Sequence, residues 1–391
     1  MTSKGNNKFD SDYILDTQKS FPNAFEQKSC ENSNHAVENK LIDFAGDSDS
    51  LYMGSSKSEL MKTITGQLSD IQDISNCYCS PVSMLLAEML TGISGMPRAY
   101  FTNSGAEAVR RAAETAEKYS RDKYGKGRST IVVVKNLKGE RSLSSVAVDG
   151  HEFFHRYDYE PHEGIRYTQA NDVTALYDSL TKDVCAVLFE PIQTDASFIT
   201  DEFSSALKTV CREKDIIIIA NEAEIGIGRT GKVFAYESFK GFKPDIVCIA
   251  RGLGGGLPIG AFLCNEKTST AIGDENNSFC SNGIPASFAG ATKVLETVLS
   301  DGFLTKVSKN GEYLFERIRR LNSDGMLKVW GRGMIIGIET KFSAKETAEK
   351  ASELGLLLHV PCDDVIIIRP PLNISKEELD VGIEILGKVI R

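Results

Sequence analysis

Four apolar runs constrain this chain more than any other feature: Ile131–Val134, Val184–Phe189, Ile216–Ala220 and, after its leading aspartate, Asp245–Ala250. None alternates polar with apolar residues, so each reads as a strand buried on both faces. Helical stretches lie between them. In Gly105–Tyr119, Ala106, Val109, Ala113 and Ala116 recur at helical spacing and give one apolar stripe. Strands alternating with helices imply an α/β fold, with a mainly parallel central sheet and helices on both faces. In such a sheet the carboxyl ends of the strands share one edge, where ligands bind.

Outside this pattern the character changes. Residues 1–38 are rich in Asn, Ser and Lys and read as a polar N-terminal arm. Residues 95–300 make the large α/β domain. From 301 to 391 comes a helix, then VWGRGMIIGIET (Val329–Thr340), then VIIIRPPLNI (Val365–Ile374), then a last helix. That helix opens on Ser375 and Glu378, a capping-box spacing, and points Leu379, Ile383, Leu386 and Ile390 inward. The expectation is a smaller α+β domain.

Charge narrows the partners. The net charge of −9 argues against nucleic acid or an anionic membrane, and no apolar run reaches the length of a membrane span. The basic residues Arg110, Arg111, Lys118, Arg121, Lys123, Lys126 and Arg128 are interleaved with acids and read as a solvated helix face and its exit loop. The first residues lack the apolar segment of a secretory signal. Nine cysteines without framework spacing read as reduced thiols of a cytoplasmic protein.

The strand ends carry the candidate chemistry. Asn103-Ser104-Gly105-Ala106-Glu107 follows an apolar strand and opens a helix, with Ser104 and Glu107 at capping spacing. Such a helix start offers backbone N–H groups to an anion. FEPIQ (Phe189–Gln193), NEAEIGIGRTGK (Asn221–Lys232) and PDIVCIARGLGGGLPIGA (Pro244–Ala261) place polar residues after three further strands. With SNCYCSP (Ser75–Pro81) and RPPLNI (Arg369–Ile374), the series resembles the class III, ornithine-type aminotransferases, the acetylornithine branch in particular. The resemblance spans roughly residues 38–391. It implies the fold type I architecture of pyridoxal phosphate (PLP) enzymes, with residues 39–94 as the N-terminal part of the small domain. It also implies a dimer with sites at the subunit interface.

At the positions that matter for PLP, this chain departs from the pattern. The lysine that forms the Schiff base corresponds to Arg251, and a guanidinium keeps its proton where an amine can surrender it. The aspartate that pairs with the ring nitrogen corresponds to Asn221, and the glutamine near the ring hydroxyl to Glu224. The ring-stacking Phe-His-Gly corresponds to Leu137-Lys138-Gly139. The threonine donated to the cofactor phosphate falls at Cys280, and the last acid of the EPIQGE motif at Asp195. The substrate-carboxylate arginine after Phe-His-Gly is displaced by Glu140, with Arg141 one step on. The arginine expected before Pro-Pro is Ile367, with Arg369 two residues later on the same strand face. The scaffold glycines Gly226, Gly228, Gly231, Gly252, Gly254, Gly255 and Gly256 remain, with Arg229, Pro191 and Pro244.

The resulting expectation is a degenerate cofactor site made of Ser104, Gly105, Ala106, Leu137, Lys138, Glu190, Asn221, Glu224, Arg251 and Cys280. Arg141, Arg251 and Arg369 are the candidate binders of a small anionic ligand. No covalent cofactor is expected; PLP or pyridoxamine phosphate held non-covalently stays open. The chain then reads as a pseudoenzyme that pairs with itself or with an active aminotransferase-type subunit. The rival reading is an atypical, lysine-independent enzyme on the same scaffold. Arg251 itself has two readings: an ion pair with Glu222, Glu224 or Glu190, or a clamp on an anionic ligand. HEFFH (His151–His155) matches the zinc-hydrolase pattern H-E-x-x-H, which needs both histidines on one helix face and a third ligand. Its other reading is a surface loop.

Overall fold

The structure is a computed structural model that describes residues 41–46, 58–71, 80–135, 164–193, 195–272, 283–321 and 323–390. Thirteen strands among them form three sheets. In chain order they are β1 (Ile42–Asp43), β2 (Arg98–Thr102), β3 (Thr130–Lys135), β4 (Ile165–Gln169), β5 (Val184–Phe189), β6 (Ile217–Glu222), β7 (Ile246–Ile249), β8 (Gly260–Cys264), β9 (Met326–Arg332), β10 (Ile335–Thr340), β11 (Leu356–Leu357), β12 (His359–Cys362) and β13 (Val365–Ile368). The large sheet runs β2-β8-β7-β6-β5-β3-β4. The pairs from β7 across to β4 are parallel, and β8 alone runs against its neighbours. The apolar runs read from sequence are therefore the central strands, shifted by a residue or two at their ends.

Period-two alternation sorts each strand between two cores. Val132, Val187, Ile218 and Val247 face one side; Ile131, Ala186, Ile217 and Ile246 face the other. The helices are α1 (Ser58–Asp70), α2 (Pro81–Ser94), α3 (Gly105–Tyr124) and those that follow along the chain. Helix α3 covers the second face with Val109, Ala112, Ala113 and Ala116. It continues past Tyr119 to Tyr124 and ends at Gly125. Its basic residues are mostly paired on the surface, as in Arg111–Glu114 at 2.9 Å and Lys118–Asp122 at 2.6 Å. The face is not wholly solvated, because Arg111, Lys118 and Arg121 also line a cavity of about 250 Å³ against Tyr100 and Phe262.

The C-terminal third builds the four-stranded antiparallel sheet β12-β13-β10-β9. VWGRGMIIGIET lies in the hairpin β9–β10, turned at Gly333. The last helix, Lys376–Val389, has both capping-box bonds at 3.1 Å and buries Leu379, Ile383, Leu386 and Ile390. Residues 41–46 join this part, since β1 pairs in parallel with β11. Leu86 and Leu90 of α2 lie instead in the core of the large sheet. The two parts meet on an apolar cluster of Ile192, Ala196, Ile225 and Ala235 from one side and Ile335, Val365 and Ile367 from the other.

Candidate functional site at the carboxyl edge of the large sheet

The edge is assembled from chain reversals after β2, β5, β6 and β7. Ser104 caps α3: its Oγ accepts from the N–H of Glu107 at 3.2 Å. The reciprocal bond reaches one residue further than a capping box, with Glu107 Oε2 accepting from the N–H of Asn103 at 3.0 Å. The first turn of α3 lies directly on the strand ends. A Cβ at Gly105 would stand 2.9 Å from the Cβ atoms of both Ala223 and Ala250. This contact needs a glycine and sets the first turn of α3 against Ala223 and Ala250, the residues that precede Glu224 and Arg251 in the chain.

Arg251 follows β7 and donates its backbone N–H to the carbonyl of Ala223 at 2.8 Å. Its guanidinium forms an ion pair with Glu224, Nη2 to Oε2, at 3.0 Å. Both side chains are about one-quarter exposed, so the pair sits at the rim of the edge and not in its depth. Among the three acids considered from sequence, the structure selects Glu224. The following turn explains the glycines: Gly255 has φ +62°, and a Cβ there would meet Leu60 of α1 at 2.8 Å.

Glu222 and Asn221 point to opposite faces, as neighbours on a strand must. Glu222 is fully buried. Its two oxygens accept from the N–H groups of Ala235 at 2.6 Å and Tyr236 at 2.8 Å, at the start of a 3-10 turn (Ala235–Ser238). Burial raises its carboxyl to about 7, against the pull of those two donors. Asn221 lies in the row that faces α3. Its Nδ2 donates to Glu190 Oε1 at 2.9 Å, and its Oδ1 accepts from the N–H of Ala223 at 3.1 Å. Asn221 and Glu190 are 1% and 4% exposed.

The remaining sequence candidates are dispersed. Arg369 is buried and ties the end of β13 to the N-terminal segment: its Nε donates to the carbonyl of Ala45 at 2.9 Å, its backbone N–H to that of Phe44 at 2.8 Å. Ile367 is wholly buried in the cluster between the two parts of the molecule. Asp195 folds into its own turn, where Oδ1 accepts from the N–H of Ser197 at 2.9 Å. Leu137, Lys138, Glu140, Arg141, His151, His155 and Cys280 lie outside the described residues. Sequence reasoning missed Lys135, the last residue of β3. The β3–β5 register aligns Val133 with Leu188 and so carries Lys135 to the level of Glu190. Its ammonium leans over the Tyr167 ring at 5.2 Å, and its carbonyl accepts from Gln193 Nε2 at 3.2 Å. A charge ending an apolar run at the sheet's carboxyl edge was the available signal.

Comparison with known proteins is consistent along the whole chain. Residues 33–390 match the family model for class-III aminotransferases. The acetylornithine aminotransferase of Caldanaerobacter subterraneus subsp. tengcongensis is 33% identical over 388 residues, covering 98% of either chain. The succinylornithine transaminase of Photorhabdus laumondii subsp. laumondii is 32% identical, over 90% of this chain and 89% of that protein. Among solved structures, the N-acetylornithine aminotransferase of Stenotrophomonas maltophilia superposes with a TM-score of 0.77 at 26% identity, covering 91% and 92% of the two chains. The acetylornithine aminotransferase of Elizabethkingia anophelis gives 0.85 at 24% identity over 100% and 99%, a likeness of fold. That fold is the type I architecture of PLP enzymes, and with two relatives matched nearly end to end the chain belongs to the class-III aminotransferase family.

Proposed function

We propose that this chain is a class-III aminotransferase scaffold that has lost PLP-based transamination and acts as a binder of a small anionic ligand or as a partner subunit. One observation carries the reading: the guanidinium of Arg251, at the position where the resemblance implies the Schiff-base lysine, is paired with Glu224 at 3.0 Å. A lysine there becomes a nucleophile by giving up its proton; an arginine does not, so no covalent link to an aldehyde forms.

The residues present do not fit PLP. At the ring-nitrogen position, Asn221 is a neutral amide whose Nδ2 and Oδ1 are engaged by Glu190 and Ala223. A protonated ring acting as an electron sink needs a carboxylate at that point. We infer an anion subsite at this edge. The first-turn N–H groups of α3, capped by Ser104, favour negative charge and support this subsite. A carboxylate or phosphate monoester is the matching ligand class.

The test is reductive trapping. Purified protein incubated with equimolar PLP, desalted and then treated with borohydride is expected to show no stoichiometric adduct; one PLP trapped per chain on a single lysine overturns the reading. Retained visible absorbance after desalting would instead favour a non-covalent cofactor and the lysine-independent enzyme. The amino transfer named for the relatives, from acetylornithine or succinylornithine, is expected to be absent.

The proposal includes a dimer of this chain. Helix α2 has a single charged residue, Glu88, yet leaves Met84 60% and Leu85 46% exposed, and Met61 of α1 is 47% exposed. An apolar face of that kind calls for a covering surface. Light scattering is expected to give twice the chain mass, and a monomer would count against it; recovery with an active aminotransferase subunit would replace the homodimer by a heterodimer. We place the protein in the cytoplasm, a reading supported by free buried thiols at Cys185, Cys211, Cys248 and Cys264. No helix among the described residues is long and apolar enough to cross a membrane.

A further inference from the structure

The helix Phe303–Arg319 is shared by the two parts of the molecule. Leu304 packs on the core of the large sheet, whereas Val307, Leu314 and Ile318 belong to the core of the C-terminal part. Where the helix passes from one to the other, its first two turns meet the loop that follows β6, and a cavity of about 600 Å³ lies between them. Close backbone packing holds its walls. A Cβ at Gly231, which has φ +79°, would stand 2.9 Å from the Cβ of Ser308. The same loop is tied to the hairpin β9–β10. The N–H of Met334 donates to the carbonyl of Arg229 at 2.9 Å, and the Arg229 guanidinium donates back to the carbonyl of Met334 at 3.3 Å. Loop and helix are thus set at a distance that the fold fixes.

The lining carries one charge of each sign. Lys232 and Glu237 both stand on the loop and are exposed. Glu237 is held in place, since its Oε2 accepts from the N–H of Phe234 at 3.1 Å, and a carboxylate has lone pairs for a second donor. Hydroxyls stand on both walls: Thr230, itself buried, on the loop, and Thr305 and Ser308 on the helix. Ser308 Oγ donates to Glu312 Oε1 at 3.3 Å and so offers an acceptor. Val233 and Leu304 supply the apolar surface. A concavity between two parts of a chain, with a few polar groups on an apolar lining, is a typical place for a small ligand. We propose that this cavity is a second binding site, sharing no residue with the carboxyl edge, for a small zwitterion of the α-amino-acid class. Glu237 meets the ammonium, Lys232 the carboxylate, and the hydroxyls of Thr305 and Ser308 a polar side chain. A simple anion would also face Glu237, and a simple cation Lys232, so the ligand that satisfies both carries both charges. Bound there, it bridges loop and helix and so joins the two parts of the molecule. The inference stands whether or not PLP chemistry is lost at Arg251.

The test is isothermal titration of the full chain with L-glutamine as the probe. Saturable binding of one molecule per chain is expected. N-acetyl-L-glutamine lacks the ammonium and L-glutaminamide the carboxylate; each is expected to bind at least about tenfold more weakly, as the loss of one charge-assisted bond implies. Lys232→Gln and Glu237→Gln are expected to weaken L-glutamine by the same order. Both side chains are exposed, and the new amide of E237Q keeps an oxygen for the N–H of Phe234, so both variants are expected to fold. Thermal unfolding reads the binding independently: L-glutamine should raise the unfolding temperature of the unaltered chain more than that of either variant. An absence of saturable binding, equal binding of N-acetyl-L-glutamine or L-glutaminamide, or an unchanged affinity in either variant overturns the inference. Borohydride trapping decides the reading at Arg251 separately and leaves this comparison untouched.

Discussion

At the scale of single residues, the electrostatics of this edge turn on which acid each cation meets. The Arg251–Glu224 pair is partly exposed, so its contribution is modest: a double-mutant cycle on Arg251→Ala and Glu224→Gln is expected to give a coupling of about 0.5–1 kcal/mol in urea unfolding. A coupling near zero would mean that the guanidinium is held by something else. Glu222 is a different case. It is buried, its carboxyl is raised to about 7, and an unfolded glutamate titrates near 4.3. A raised folded pKa means that the stability linked to this group is complete at low pH and is lost as pH rises through about 7. The unfolding free energy is expected to fall by on the order of 2 kcal/mol from pH 5 to pH 8, and Glu222→Gln should flatten that slope. Chemical denaturation across this range in both proteins checks it.

At the scale of elements, the N-terminus of α3 decides the geometry. Its first turn rests on Ala223 and Ala250 with room only for hydrogen at Gly105. Gly105→Ala is expected to cost about 1–3 kcal/mol, because strand ends cannot yield as a flexible side chain can, and the anion affinity should fall with it. Calorimetric unfolding and a phosphate titration would read both effects. The strands and helices were legible in the sequence because periodicity is local. Buried parallel strands announce themselves by unbroken apolar runs, and the Ser375–Glu378 cap by its spacing. The hairpin at Gly333 was not legible, since an apolar run reads the same whether it goes straight or turns back.

At the scale of the whole molecule, the two parts are joined by an apolar seam. Ile367 lies in it with Ile192, Ile225 and Ile335. The seam is flanked by Arg229, whose Nη1 donates to the carbonyls of Met334 and Pro370, and by Trp330 Nε1, which donates to Asp195 at 2.9 Å. Restoring the expected arginine by Ile367→Arg would bury an unpaired guanidinium. It is expected to cost more than about 3 kcal/mol or to prevent folding. Unfolding by guanidinium chloride measures this, and a fully stable variant would show that the seam opens.

The sequence by itself determined the α/β architecture and the family, and put Arg251 where the resemblance implies a lysine, because all of these are written in residue type and local order. Which acid meets Arg251, that Glu222 accepts from Ala235 and Tyr236 and that Asn221 donates to Glu190 were decided only by tertiary structure. Glu190, Glu222 and Glu224 all stand at strand ends and look equivalent in one dimension. Strand alternation and the packing of α3 send them to opposite faces and different depths, and that placement fixes which charges meet.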